Sequence, residues 1–238
     1  MKNTSLKNFL IIFYKMIIYN LKIIFANKFI WFLLGSVLFY IGLSIFYVFT
    51  TDVSRMEDLY GIFLFSGILL VFYPSVFGIQ NDQDARTIEI LFGIPNYRYK
   101  IWLVRIILIF IIACLVMVVF TFLSSYLIVK FRVINMALQV MMPVIFLGIL
   151  AFMFSTLIRN GNGTAVVMIV IGVLFLVLND ALRKSQWNVF LNPYNMPRDV
   201  NDTAWNIISL KNRIILGVGT IVFLLAALYN LQKREKFM

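Results

Sequence analysis

The sequence lacks histidine and has a single cysteine, and these two facts exclude several kinds of active site. Without imidazole there is no Ser-His-Asp or Cys-His catalysis and no histidine-ligated metal. Cys114 cannot form a disulfide within the chain, and its place in an apolar run predicts an inert, buried thiol. The chain is therefore not expected to work as an enzyme that depends on these groups.

The chain also lacks the motifs that would supply energy or bind a metal. No G-x-x-x-x-G-K-[ST] sequence occurs, and the glycines of 161–164 predict only a turn between helices. Asp82 and Asp84 resemble the start of the metal-binding motif of membrane alcohol-phosphotransferases. However, the next aspartate is Asp180, so the second half of that motif is missing. Ion-driven transporters usually place an ionisable group inside a membrane span, whereas no acidic residue falls inside an apolar run of this chain. Energy is therefore expected to come from another protein.

Apolar residues dominate the composition of the chain. The chain is 62% hydrophobic and 13% charged, whereas soluble domains are about 45–50% apolar and about 25% charged. Helices of about 20 apolar residues cross a bilayer core of about 30 Å, and no strand-like alternation is present. The predicted fold is an all-α integral membrane protein with one domain, 1–238, and six transmembrane helices. Their predicted bounds are about 29–51, 59–81, 101–129, 133–158, 160–179 and 214–232.

The distribution of Lys and Arg predicts the orientation. With the N-terminus in the cytoplasm, six spans return the C-terminus to the same side, and most of the 21 basic residues then lie in cytosolic segments. The short 130–132 turn, with two basic residues, goes against this bias. The net charge of +11 is expected to face anionic membrane lipid rather than nucleic acid. We expect a bacterial cytoplasmic membrane and cytosolic termini.

The first 28 residues predict a helix that lies in the membrane interface. Lys15, Tyr19 and Lys22 recur at i, i+4 and i+7, so they share one stripe of an otherwise apolar helix. A signal peptide is the competing interpretation, but the lysines and the lack of a small-residue cleavage site argue against it. Simple anchoring and an elbow that bears on a cytosolic partner both remain open.

The polar segment 82–100 predicts a short amphipathic helix between the second and third spans. Asn81 or Asp82 is expected to cap this helix, and Asp82 to pair with Arg86 at i, i+4. Gly93 is placed to end this helix, and Pro95 favours an extended backbone just before it. Either the segment is a lever for a motor protein, or it is an ordinary solvated loop.

This segment resembles the signature loop of ABC-2-type transporter permeases. That family has Arg-Gly-Thr-x-Glu-x-Leu, then a proline, a basic or polar pair, and a lysine early in the third span. The residues that match by position are Thr87, Glu89, Leu91, Pro95 and Arg98, and Arg105 stands where the family has lysine. Arg86 occupies the slot of the family's glycine, and Ala85 the slot of its arginine. The resemblance implies an ATPase-coupling role for Arg86, Thr87, Glu89, Leu91, Pro95, Arg98, Lys100 and Arg105.

The resemblance extends to the six-span layout, and it implies the permease subunit of an ABC exporter. In such a complex two six-helix subunits, identical or paralogous, form the pathway, and two separate ATPase subunits bind ATP and magnesium. The chain itself would hold no cofactor, and the short cytosolic coupling helix around Glu89 would contact the ATPase. The expected cargo is a hydrophobic or amphipathic peptide, drug or lipid. The alternative is a non-transporting scaffold or sensor that binds a cytosolic partner through 82–100.

The long connection 180–213 is too apolar for a loose loop and too interrupted to cross a membrane. Trp187, Pro193, Tyr194 and Trp205 are expected at the membrane interface. Together with the resemblance, they predict an extracytoplasmic re-entrant region that narrows the exit, with a surface loop as the alternative.

Within the spans, Pro74 is expected to kink the second helix, because proline removes a backbone hydrogen bond. A lining rich in methionine and aromatic residues would suit a bulky apolar cargo. The candidates, any of which could instead face lipid, are Phe65, Phe72, Tyr73, Met141 and Met142.

Overall fold

The computed structural model describes residues 14–15, 17–25, 28–50, 55–84 and 98–231, and for residues 98–100 it describes the backbone alone. Within these ranges all regular secondary structure is helical, and no strand is present. The helix α1 comprises 17–25. The six long helices that follow are α2 (Phe29–Thr50), α3 (Met56–Asp84), α4 (Val104–Leu127), α5 (Val133–Ile158), α6 (Gly161–Ala181) and α7 (Asp202–Asn230).

All six long helices are long and apolar enough to cross a membrane. They indicate an integral membrane protein, as the composition predicts. Successive helices run in opposite directions, so the bundle has two ends. We call them the Arg105 end, where α3 ends and α4 begins, and the Arg213 end, which holds the connection between α6 and α7.

The helix ends are defined by local hydrogen bonds. Arg159, in the left-handed conformation at φ 61°, ends α5, and Asn160 caps α6 by accepting a bond from the Gly163 backbone N–H at 3.2 Å. At the other end, Asn201 caps α7 by accepting from the Ala204 N–H at 2.8 Å. A π-helical turn, Arg98–Leu103, leads into α4.

The centre of the molecule is formed by α3 and α5, which pack against each other. In the most apolar part of each of these two helices, more than half of the residues are buried. Gly67 of α3 allows this approach, because a Cβ there would lie 2.8 Å from the Val144 side chain. Ser36 of α2 donates to the Ser66 carbonyl of α3 at 2.8 Å. In contrast, α2, α6 and α7 expose many large apolar side chains, as helices surrounded by lipid do.

Two helices are longer than the sequence analysis predicts. The second span continues through Asp84 rather than ending near residue 81, and the last begins at Asp202 rather than near residue 214. At about 1.5 Å per residue each of these 29-residue helices is about 43 Å long, more than the bilayer core of about 30 Å. A run free of charge marks the length that lipid can cover, whereas the helical backbone continues beyond it.

Candidate functional site

The two helices that flank segment 85–97 are joined by a buried ion pair. Arg105, in the first turn of α4, donates from Nη1 to Oδ2 of Asp82, in the last turn of α3, at 2.7 Å. Both side chains are more than nine-tenths buried, with 6% and 7% of their surfaces exposed. The expected cap at Asn81 or Asp82 is therefore wrong, because both residues lie inside α3 rather than before a new helix.

The surroundings of Arg105 are mostly aromatic and apolar. Its guanidinium carbon lies 4.8 Å from the centroid of the Trp102 ring, an arrangement that attracts a cation to the face of the ring. Its Nε and Nη2 have no hydrogen-bond partner among the described residues. Asp82 is therefore the main compensation for a positive charge that would be costly to bury alone.

The ion pair also lies near the N-terminal helix. A cavity of about 20 Å³ lies between Arg105, Ile24 of α1 and Phe29 of α2. Asn20 and Ile24 are buried, whereas Lys15, Tyr19 and Lys22 are all exposed. The structure thus places the predicted basic stripe on the outer side of α1.

The structure describes only some of the residues that were predicted to couple the chain to an ATPase. Arg86, Thr87, Glu89, Leu91 and Pro95 lie outside the described residues. Arg98 and Lys100 have their backbone in the π-helical turn before α4. The side chain of Arg105 is buried against Asp82, so it does not itself present a surface to a soluble partner. Its part in coupling to an ATPase stays a prediction.

A second buried arginine lies at the opposite end. Arg213 is 8% exposed and belongs to α7, not to the outer connection in which the sequence analysis placed it. Its Nε donates to Gln139 Oε1 at 2.8 Å and its Nη1 to Asn212 Oδ1 at 2.9 Å. Its Nη2 donates to the Tyr60 hydroxyl and to the Leu191 carbonyl, both at 3.2 Å. Arg213 thus connects α3, α5 and α7 to the α6–α7 connection.

The aromatic residues predicted to form an exit gate divide into two groups. Trp205 is buried in the first turn of α7 and donates from Nε1 to the Pro193 carbonyl at 2.9 Å. Tyr194 lies beside Tyr60, where burial raises the pKa of the Tyr194 phenol and the Arg213 charge opposes that rise. Trp187 is 63% exposed and contributes nothing to this cluster.

An apolar cavity of about 230 Å³ lies between α3, α5 and α6. Phe65 and Phe72 line it, as do Gly172 of α6 and Phe190 of the α6–α7 connection. Two other candidate lining residues, Tyr73 and Met141, are buried in the core instead. Pro74 lies inside α3, as the sequence requires of a proline that could kink this helix. Pro74 and Asn81 line the same small cavity, and the Asn81 side chain donates to the Tyr73 hydroxyl at 3.1 Å.

Sequence reasoning missed both buried arginine sites, since their partners lie far apart in the chain. The described residues contain no group of three or more potential metal ligands. No protein-family model, no curated protein and no solved structure matches the chain.

Proposed function

We propose that this chain is the permease subunit of an ATP-driven exporter, with the energy supplied by a separate ATPase. The observation that carries the proposal is the buried Asp82–Arg105 pair, which joins the two helices on either side of segment 85–97. The resemblance of that segment to the ABC-2 coupling loop supplies the identity of the partner.

The pair gives the segment a rigid base. A force on a loop between two independent helices would mainly bend the loop. Here α3 and α4 are connected at the point where the loop leaves and re-enters, so the same force moves both helix ends together. Because α3 packs against α2, α4, α5 and α6, that movement would reach most of the bundle.

The cavity between α3, α5 and α6 supports an apolar cargo. All of its lining residues are apolar, and α6, which forms one wall, exposes most of its surface. A hydrophobic molecule could therefore enter from the bilayer. At about 230 Å³ the cavity is smaller than the roughly 300–1,000 Å³ of ordinary ligand pockets. We infer that a second copy or a paralogue of this chain completes the pathway.

Co-purification tests the proposal. The tagged chain, extracted in mild detergent and placed in nanodiscs, is expected to bring down an ATPase, in a complex of two permease and two ATPase subunits. Glu89→Lys should lower cargo-stimulated ATP turnover by about tenfold or more, because it reverses a charge at the expected contact. Asp199→Lys makes the same charge change at an exposed site at the Arg213 end and should leave turnover unchanged.

Two outcomes would reject the proposal. If no nucleotide-binding chain associates in any detergent or nanodisc, the chain has no motor. If a cytosolic protein without ATPase activity binds and Glu89→Lys releases it, the scaffold or sensor alternative is correct.

A further inference from the structure

We propose that the cavity beside Arg213 is a binding site for an anionic phosphate group. The cavity has a volume of about 430 Å³ and lies between α5, α7 and the connection that precedes α7. Its lining residues are Asn135, Gln139, Pro193, Tyr194, Asn206, Ser209, Leu210 and Arg213. This inference concerns the end of the bundle opposite the proposed ATPase contact, and it does not depend on that contact.

The charge of Arg213 is the first argument. Its four hydrogen-bond acceptors are an amide oxygen of Gln139, an amide oxygen of Asn212, the Tyr60 hydroxyl and a backbone carbonyl, and all of them are neutral. No acidic side chain among the described residues forms a salt bridge with it. A buried cation without an anion is costly, so a bound anion would be strongly favoured at this position.

Comparison with the other buried arginine, Arg105, shows that Arg213 lacks a carboxylate partner among the described residues. Arg105 has Asp82 at 2.7 Å and about the same burial. Within one molecule, therefore, one buried arginine is paired with a carboxylate of the chain, whereas the other faces a cavity with no acidic lining residue. We infer that the counter-ion of Arg213 is a ligand.

Free hydrogen-bonding capacity is the second argument. A guanidinium group has five N–H donors, and the four bonds of Arg213 leave one Nη1–H available. The Ser209 hydroxyl is buried and has no hydrogen-bond partner among the described residues. Asn135 and Asn206 are exposed and line the same cavity, so they can contact a ligand that enters from outside.

These donors fit a phosphate group better than a smaller anion. A phosphate has several charged oxygens that accept bonds from arginine, hydroxyl and amide groups together. The cavity exceeds by far the roughly 30 Å³ of a single water molecule, so it accommodates the group and part of its substituent. Tyr194 lines the cavity and the exposed Trp187 lies in the same connection, and tyrosine and tryptophan are enriched at headgroup level. The phosphate could belong to a lipid headgroup or to a soluble compound.

Thermal unfolding of the purified full chain in a neutral detergent tests the site. The probes are phosphatidylglycerol, compared with diacylglycerol of the same acyl chains, and inorganic phosphate, compared with chloride at equal ionic strength. Saturating phosphate ligand is expected to raise Tm by about 5 °C or more, because it binds the folded state alone. A response to phosphatidylglycerol only assigns the site to lipid, whereas a response to inorganic phosphate assigns it to soluble phosphates as well.

Variants at Ser209 separate this site from general effects of charge. Ser209→Asp places a carboxylate at i, i+4 from Arg213, where it can serve as an internal counter-ion. It should remove the response to phosphate and keep or raise the Tm without ligand. Ser209→Asn has nearly the same shape without the charge and should retain the response.

The proposal is overturned if neither phosphate source raises Tm above its own control. It is also overturned if Ser209→Asp responds as fully as the unmodified chain. Should Ser209→Asp fail to fold, Asn206→Asp supplies a carboxylate from the rim of the same cavity, and it must then show the same loss of response.

Discussion

At the residue scale, the two buried arginines have different surroundings and different consequences. Arg105 is paired with a carboxylate, so its charge contributes to joining two helices. Arg213 is held by neutral groups from several elements and retains its charge at the edge of a polar cavity. A positive side chain in an apolar protein therefore stabilises the fold at one end and is available for binding at the other.

The Asp82–Arg105 pair gives a direct energetic prediction. Asp82→Leu alone or Arg105→Met alone leaves one buried charge without its partner, which should cost about 3–5 kcal/mol of folding free energy. The double variant buries two apolar side chains instead and should lose much less. Thermal unfolding of the unmodified chain, both single variants and the double variant provides the complete cycle.

Additive losses in that cycle would contradict the prediction. They would show that Asp82 and Arg105 act independently despite their 2.7 Å contact. The argument for a rigid base beneath segment 85–97 would then be lost as well, because it needs the two helices to be coupled through this pair.

Neither arginine site could be predicted from local sequence. Asp82 and Arg105 are 23 positions apart, and no helical or strand periodicity relates them. A usable signal was nevertheless present: one apolar run ends just before an acidic residue, Asp82, and the next begins just after a basic one, Arg105. For Arg213 the partners Tyr60 and Gln139 are separated from it by 153 and 74 positions. Only the assembled bundle brings them together.

At the element scale, the contact between α3 and α5 depends on a small residue. A methyl group added at Gly67 would lie 2.8 Å from Cγ2 of Val144, a buried side chain whose branch at Cβ leaves it little freedom. Gly67→Ala should therefore destabilise the chain by about 1–3 kcal/mol, despite the better helix propensity of alanine.

Gly61 provides the matched control for this prediction. It lies on the same helix, and a Cβ there meets nothing within 4 Å. Gly61→Ala should leave Tm unchanged or raise it slightly, when both variants are compared in one detergent. Equal shifts for the two variants would mean that α3 and α5 are less closely packed than the structure indicates.

Element existence was easier to predict than element length. The predicted bounds of α2 and α5 agree with the structure to within one residue, because charged or polar residues flank those apolar runs closely. In contrast, α3 was predicted too short at both ends, and α7 was predicted to begin too late in the chain. There the polar residues that interrupt the apolar run are themselves helical, and buried partners such as Arg105 satisfy them.

At the scale of the whole molecule, charge is concentrated at the two ends and apolar surface lies around the sides. The predicted orientation assigns the Arg105 end to the cytoplasm, which the proposed ATPase contact requires. Charge bias alone supports this assignment, and the short connection with Lys130 and Arg132 weighs against it. Labelling from the two sides of the membrane tests this orientation.

Cysteine labelling provides that experiment, since the chain has one cysteine. Cys114→Ser gives a background without thiols. Cys114 is half-buried, so retention of activity by this variant is checked first. In this background a membrane-impermeant maleimide added to intact cells should label Asp199→Cys, an exposed position at the Arg213 end. Glu89→Cys should be labelled only after the membrane is permeabilised. Labelling of Glu89→Cys in intact cells would place segment 85–97 outside, where no ATPase could reach it, and the proposed function would fail.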